Sequence, residues 1–203
     1  MRIRPAAHYD KAYFDKWYRH PKHRVKSKLD IERQLRFIVS ATEYIFERPI
    51  RKVLDVGAGE GNWSVALKKL RPSAKYYGVD PSEYAVKRFG KRRNIREGGF
   101  GNVGDLRLPG GFDIILCCGV MNYVADDDLA SGLRQLTALC EGVAYCEVFA
   151  AEDDATGDFT RSSARTSAWW RQTFHSTGWE SLGMHLYLRS DMASVATSLE
   201  RAR

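Results

Sequence analysis

Apolar residues fall along this chain in short blocks separated by stretches of helical period. Val53 to Val56, Tyr76 to Val79, Phe112 to Cys118 and Gly142 to Phe149 are blocks of strand length. Their near-continuous hydrophobicity predicts strands covered on both faces, as in a parallel sheet. Between the blocks the period changes. From Leu29 to Phe46 the positions Ile31, Leu35, Ile38, Thr42 and Ile45 share one helical face, and from Asp126 the positions Leu129, Leu133, Leu136 and Cys140 do the same. Shorter helices are predicted from Glu83 to Phe89 and around Arg165 to Ser176, with a strand-like run from Trp179 to Leu188 and a helix-like tail from Ala193 to Ala202. Strands alternating with helices of this length predict an α/β fold built on a doubly wound, mainly parallel sheet, with ligands at the strand carboxyl ends.

The first strand, Val53-Leu54-Asp55-Val56, runs into Gly57-Ala58-Gly59-Glu60-Gly61 and then into a helix opened by Asn62 and Trp63. Glycines there let the chain turn tightly and bring bare backbone against a ligand at the helix N-terminus. A dinucleotide fingerprint, G-x-G-x-x-G, would need glycine at position 62, where this chain has Asn62; its third glycine comes one place early. One βα unit later the second strand ends in Asp80, followed by Pro81 and Ser82, at about the twenty-residue spacing of a ribose-binding acid. A third acid, Asp105, precedes Leu106 ahead of the Phe112 strand.

The D-x-G-x-G-x-G stretch resembles motif I of class I S-adenosylmethionine-dependent methyltransferases, and with Asp80 and Asp105 the resemblance covers roughly residues 50 to 190. It implies a Rossmann-like methyltransferase fold and S-adenosylmethionine as cofactor, released as S-adenosylhomocysteine. It places Asp55, Gly57, Gly59 and Gly61 around the methionine end, Asp80 on the ribose hydroxyls, and Asp105 with Leu106 at the adenine. Asn62, Trp63, Pro81 and Cys118 are expected to border the same pocket. The chain is expected to be one methyltransferase domain over residues 1–203. Residues 1–46 would supply an aromatic and basic lid, Tyr13 and Tyr18 closing the pocket, and the helix before the first strand. One departure concerns the end of the sheet. The family usually finishes with an antiparallel sixth and seventh strand, so the seventh is expected to be missing or hidden in a split of the Trp179–Leu188 run at Gly183.

Charge sharpens the picture of the N-terminus. Of 32 Lys and Arg, 11 lie in residues 1–36 against four acids, so this segment holds the whole formal excess of +7. Tyr9, Tyr13, Phe14, Trp17 and Tyr18 are interleaved with it, beside His8, His20 and His23. Basic charge mixed with stacking side chains suits a flat anionic substrate or single-stranded nucleic acid, as well as a lid. A second basic cluster from Lys87 to Arg96 reads as favourable charge at a helix C-terminus. Cys117, Cys118, Cys140 and Cys146 lack C-x-x-C spacing and predict buried free thiols in a cytoplasmic protein, with no metal site. No apolar run approaches the roughly eighteen residues of a membrane span, so no membrane partner is expected.

Methyl transfer from a sulfonium is an in-line displacement, which asks the protein to hold an acceptor atom and, where it is protonated, to take its proton. Candidates lie after the fourth and fifth strands: Asn122 and Tyr123, where many family members carry a His, Glu147 at the end of the fifth strand, and His175 on the later helix. Trp169 and Trp170 are candidates for an apolar acceptor wall. The N/D-P-P-Y/F motif of DNA amino-methyltransferases is absent after the fourth strand, and Cys117-Cys118 lacks the preceding proline of cytosine-C5 enzymes. The expected acceptor is a small molecule. The alternatives are RNA, met by the basic arm, and a protein that binds the cofactor without catalysis; oligomeric state is left open.

Overall fold

The structure, a computed structural model, describes residues 9–154 and 162–197. Seven strands form one sheet in the order β3-β2-β1-β4-β5-β7-β6. They are β1 (Lys52–Val56), β2 (Lys75–Asp80), β3 (Ile95–Glu97), β4 (Phe112–Cys118), β5 (Cys140–Glu147), β6 (Trp179–Gly183) and β7 (Leu186–Arg189). The first five pair in parallel, while β7 runs antiparallel to both β5 and β6. Helices α1 (Lys11–Phe14), α2 (Lys28–Phe46), α3 (Asn62–Leu70), α4 (Glu83–Arg93), α5 (Asp126–Leu139), α6 (Ser167–Ser176) and α7 (Ser194–Thr197) complete the order. This is the doubly wound, mainly parallel sheet that the alternation predicts.

Side-chain alternation along β1 divides the core in two. Leu54 and Val56 face α5 and α6, joining Leu129, Leu133, Leu136, Trp170 and Phe174. Val53 faces the other layer, where Leu35, Ile38 and Val39 of α2 and Trp63 and Leu67 of α3 pack. Leu35, Ile38 and Val39 have no exposed surface; burying each contributes about 1.5–3 kcal/mol. Asp55 sits on the same strand, at 2% exposure, between these apolar layers.

The helix predicted from Leu29 is α2, and its start is fixed locally. Ser27 Oγ accepts from the Asp30 N–H and the Asp30 carboxylate accepts from the Ser27 N–H, a reciprocal cap worth about 1 kcal/mol. That cap also fixes Lys26, the residue before it. Of the two alternatives for the seventh strand, the split holds: the Trp179–Leu188 run divides at Gly183, where Gly183, Met184 and His185 take φ of 81°, 49° and 63° and reverse the chain. One expectation is corrected. Cys140 opens β5 instead of closing α5, its backbone already extended at φ −91° and ψ 128°. Of the tail predicted from Ala193 to Ala202, Ser194–Thr197 is helical and the rest lies outside the described residues.

Candidate functional site

The turn after β1 is held against β2: the Gly57 and Ala58 N–H groups both donate to the Val79 carbonyl, at 2.8 and 3.0 Å. Gly57 and Gly59 have φ of 79° and 54°, in the region L side chains avoid. Close approach is the second reason for glycine here. A Cβ on Gly57 would lie 2.1 Å from Val120 Cγ2, and one on Gly59 would lie 2.5 Å from the Tyr18 hydroxyl.

Two adjoining cavities open at the carboxyl ends of β1, β2, β4 and β5, sharing Tyr13, Tyr18, Gly57, Cys118, Gly119 and Tyr123. The larger, about 610 Å³, runs from Asp80 and Pro81 past Glu97–Asn102 to Val120 and Asp128. The smaller, about 160 Å³, is walled by Trp17, Trp63, Tyr123 and Phe149 and holds Asp55, Lys26 and Glu147. Asn62 lines the smaller one.

The acids are tuned by burial. Asp80, 6% exposed, accepts from the Gly59 N–H at 2.6 Å on one oxygen and from the Ser82 N–H at 2.8 Å on the other. Burial outweighs those two bonds and raises its pKa to about 6. Asp55 is pushed to about 7 by burial, against the hydrogen bond from the Tyr76 hydroxyl and with some repulsion from Asp80. The Cys118 thiol is raised by burial and stays protonated at neutral pH. Glu147 Oε2 accepts from Lys26 Nζ at 2.6 Å, Gln34 Nε2 at 3.3 Å and the Tyr145 hydroxyl at 3.4 Å. Its other oxygen meets no described donor and is left for the cavity.

The N-terminal segment closes over this site. Asp10 caps α1 through the Tyr13 N–H, and a π-helical turn, Asp15–Arg19, carries the chain on. Phe14 is 2% exposed, its ring centroid 4.9 Å from Tyr18 and 5.5 Å from Tyr84. Three polar contacts tie the segment to three strand ends: Ser82 Oγ donates to the Tyr9 carbonyl, Arg19 pairs with Glu60 in the glycine turn, and Lys26 pairs with Glu147.

Several expected residues stand elsewhere. Asp105 is exposed on a 3-10 segment and Leu106 packs against the core beside Gly98, so neither lines a cavity; the preceding stretch, Glu97–Asn102, takes that wall. Gly61 faces Ile95 and Arg93 and caps α3. Asn122 is 3% exposed, and its amide bridges the Phe149 backbone, donating to the carbonyl at 2.7 Å and accepting from the N–H at 3.1 Å. It joins the loop after β4 to the end of β5 and is spent on that. His175 lies at the C-terminus of α6, whose N-terminus follows the carboxyl-end loops; it is therefore at the opposite end of the sheet, exposed and paired with Glu180. Trp170 is core, donating to the Phe149 carbonyl, and Trp169 joins it in flanking the Arg165 guanidinium. Sequence reasoning missed Trp17, Lys26 and Phe149; Trp17 and Lys26 had only the aromatic and basic bias of the N-terminus to mark them.

A family profile described as a methyltransferase domain matches residues 23–192. No curated protein matches. Among solved structures, the chain is similar to an S-adenosylmethionine-dependent methyltransferase from Archaeoglobus fulgidus, at 15% identity over 83% of this chain and 73% of that one, TM-score 0.61. It is also similar to a plantazolicin methyltransferase solved with a triazolic desmethyl analogue and S-adenosylhomocysteine, at 16% identity over 86% and 76%, TM-score 0.64. A magnesium protoporphyrin IX methyltransferase from Synechocystis with bound S-adenosylmethionine is 18% identical over 86% and 84%, TM-score 0.56. At such identities the structural likeness speaks to the fold.

Proposed function

The chain belongs to the S-adenosylmethionine-dependent methyltransferase family, and from that premise we propose that it methylates a small-molecule acceptor held beside Trp17, Tyr123 and Phe149 of the smaller, aromatic-walled chamber. The observation that carries this reading is the pair of joined cavities, one with a ribose-type acid and one with aromatic walls, meeting at Tyr13, Tyr18 and Tyr123. Asp80 fits the ribose: it is buried, and each oxygen has one backbone donor and room for one more. Glu97–Asn102 and Val120 would flank the adenine, in place of the Asp105 and Leu106 that the motif suggested. The methionine portion would enter the smaller chamber from the larger one, against Asp55, Gly57, Asn62 and Trp63, with Tyr13 and Tyr18 above it as a lid. The bound cofactor supplies an electrophilic methyl group on a sulfonium.

The chain's own residues then have to orient the acceptor and exclude water. Tyr123, Phe149 and Trp17 confine it, and the free oxygen of Glu147 accepts a hydrogen bond from the acceptor's N–H or O–H. Lys26 pairs with the first oxygen of Glu147 at 2.6 Å, which fixes the carboxylate and leaves the second oxygen to orient the acceptor. Four unpaired cysteines support a reducing, cytoplasmic location, and among the described residues no helix is long and apolar enough to cross a membrane.

Calorimetry with S-adenosylhomocysteine and NAD, followed by transfer of labelled methyl to fractionated cell extract, tests the reading. Binding of S-adenosylhomocysteine over NAD is expected, weakened roughly 10- to 100-fold in Asp80→Ala because ligand hydroxyls lose their acceptor. Label is expected in the small-molecule pool. Label confined to RNA or protein would overturn the acceptor class, and preferential NAD binding would overturn the site.

A further inference from the structure

Both cavities are poor in cations. Among the described residues that line them, Lys26 is the only lysine, arginine or histidine, whereas Asp55, Asp80, Glu97, Asp128 and Glu147 are all acids. Lys26 directly precedes the Ser27 cap of α2, and its ammonium donates to Gln34 Oε1 on that helix at 3.0 Å and to Glu147 Oε2 at 2.6 Å. An ammonium has three donors, and the third meets no acceptor among the described residues. The ammonium lies 5.7 Å from the Trp63 ring centroid, on a side chain 20% accessible. Burial raises the pKa of Asp55 and of Cys118 in the same chamber, and the charge of Lys26 opposes that rise in both. The glycine turn offers no replacement for it. Gly57 and Ala58 N–H donate to the Val79 carbonyl, Gly59 N–H to Asp80 and Gly61 N–H to the Ala58 carbonyl, so these donors are spent within the protein.

We propose that Lys26 holds two carboxylates with one ammonium: Glu147, its partner within the protein, and the carboxylate of the cofactor's methionine portion. The proposal rests on the reading of the joined cavities as the cofactor site. A methionine end entering the smaller chamber brings an ammonium and a carboxylate; Asp55 meets the first, and Lys26 is the lining cation that meets the second. The contact is a charge-assisted hydrogen bond to a side chain already held by Gln34 and Glu147, so little ordering is lost in making it. Sharing has a consequence for the acceptor. A cation divided between two anions compensates Glu147 less, which strengthens its second oxygen as a hydrogen-bond acceptor once the cofactor is in place. Cofactor loading thereby readies the group that orients the acceptor, and acceptor binding should follow it.

Calorimetry on the full chain tests this with S-adenosylhomocysteine, its decarboxylated analogue, which keeps the ammonium, and methylthioadenosine, which lacks the amino-acid end. S-adenosylhomocysteine is expected to bind at least about tenfold more tightly than the decarboxylated analogue, as one charge-assisted contact implies. In the Lys26→Gln, Glu147→Gln double variant that preference is expected to fall to about threefold or less, with methylthioadenosine affinity kept within about twofold. The double change removes a cation and an anion together, so the chamber keeps its net charge and a lost preference reports the direct contact. Glu147→Gln alone is expected to raise S-adenosylhomocysteine affinity about threefold or more, because Lys26 loses its rival partner. Equal binding of S-adenosylhomocysteine and the decarboxylated analogue by the wild type would overturn the proposal. So would an undiminished preference in the double variant, which would assign the carboxylate to the N-terminus of α3, or an equal loss of methylthioadenosine there, which would make Lys26 a prop of the site. No gain in Glu147→Gln would overturn the sharing. Failure of the wild type to take either S-adenosylhomocysteine or methylthioadenosine would strike the underlying reading instead.

Discussion

Replacing Asp55 by Asn is expected to stabilise the ligand-free fold while weakening its hold on cofactor. Asp55 is 2% exposed and titrates at about 7, chiefly because burial penalises its charge. In the unfolded chain the same carboxyl titrates near 3.9. A folded pKa above the unfolded one makes a contribution that is fully present below about pH 4 and is lost as pH rises through about 7. At pH 8 the ionised carboxylate therefore costs about 4 kcal/mol, and about 2 kcal/mol where water enters the site; at pH 5 the linkage leaves about 1.5 kcal/mol. Asn keeps an oxygen to accept from the Tyr76 hydroxyl and carries no charge. Urea unfolding at pH 8 should show Asp55→Asn about 2–4 kcal/mol more stable than wild type, with the gap narrowing at pH 5. Calorimetry should show weaker S-adenosylhomocysteine binding, since the variant lacks the anion that would meet the ligand's ammonium. A variant less stable than wild type at pH 8, or a gap indifferent to pH, would refute the assignment of an energetic burden to Asp55.

Two further variants probe the frame of the site. Asn122→Ala removes both bonds to the half-buried Phe149 backbone, whose carbonyl keeps the bond from Trp170, so a loss of about 1–3 kcal/mol in urea unfolding is expected; a loss below about 0.5 kcal/mol would show that the two loops are held by other means. Gly59→Ala forces a side chain into φ 54° and to within 2.5 Å of the Tyr18 hydroxyl. Tryptic cleavage at Lys16 or Arg19 should accelerate while circular dichroism is unchanged, and wild-type cleavage rates would show that Tyr18 need not lie over the turn.

The fold was legible where the sequence carries a period or a turn that physics restricts. Strand blocks, the α2 face and the glycines at positive φ each leave a local signature, and the Gly183 split was readable as an alternative because glycine is the natural reversal point. Site placement was legible for Asp80, whose strand end puts it at the cavity wall. It failed where the outcome depends on a loop's path. Asp105 follows β3 by eight residues, and the chain coils through a 3-10 segment before reaching it, so the wall is made by Glu97–Asn102. Asn122 sat in a plausible catalytic position, but only the three-dimensional meeting of the β4 and β5 loops shows its amide used on backbone. His175 failed on helix direction, since a helix starting at the carboxyl ends must finish at the other side of the sheet. Lys26 had no signal of its own: its ammonium reaches Glu147, 121 residues later in the chain.

The contacts of the N-terminal segment set how such a lid would open. Arg19 reaches Glu60 with its side chain 41% accessible and that of Glu60 8%, while Lys26 is 20% and Glu147 12% accessible, so separating either pair strands a largely buried carboxylate. What distinguishes Lys26 is its attachment: it shares Glu147 with Gln34 and Tyr145 and directly precedes the capped start of α2. Residues before Arg19 can therefore lift from the adenosine-side cavity while the chain from Lys26 onward stays seated, placing the hinge in the His20–Val25 loop. Cofactor bound beneath Tyr13 and Tyr18 would pin the moving part, so S-adenosylhomocysteine should slow tryptic cleavage at Lys16 and Arg19, and a rate indifferent to the ligand would refute the hinge.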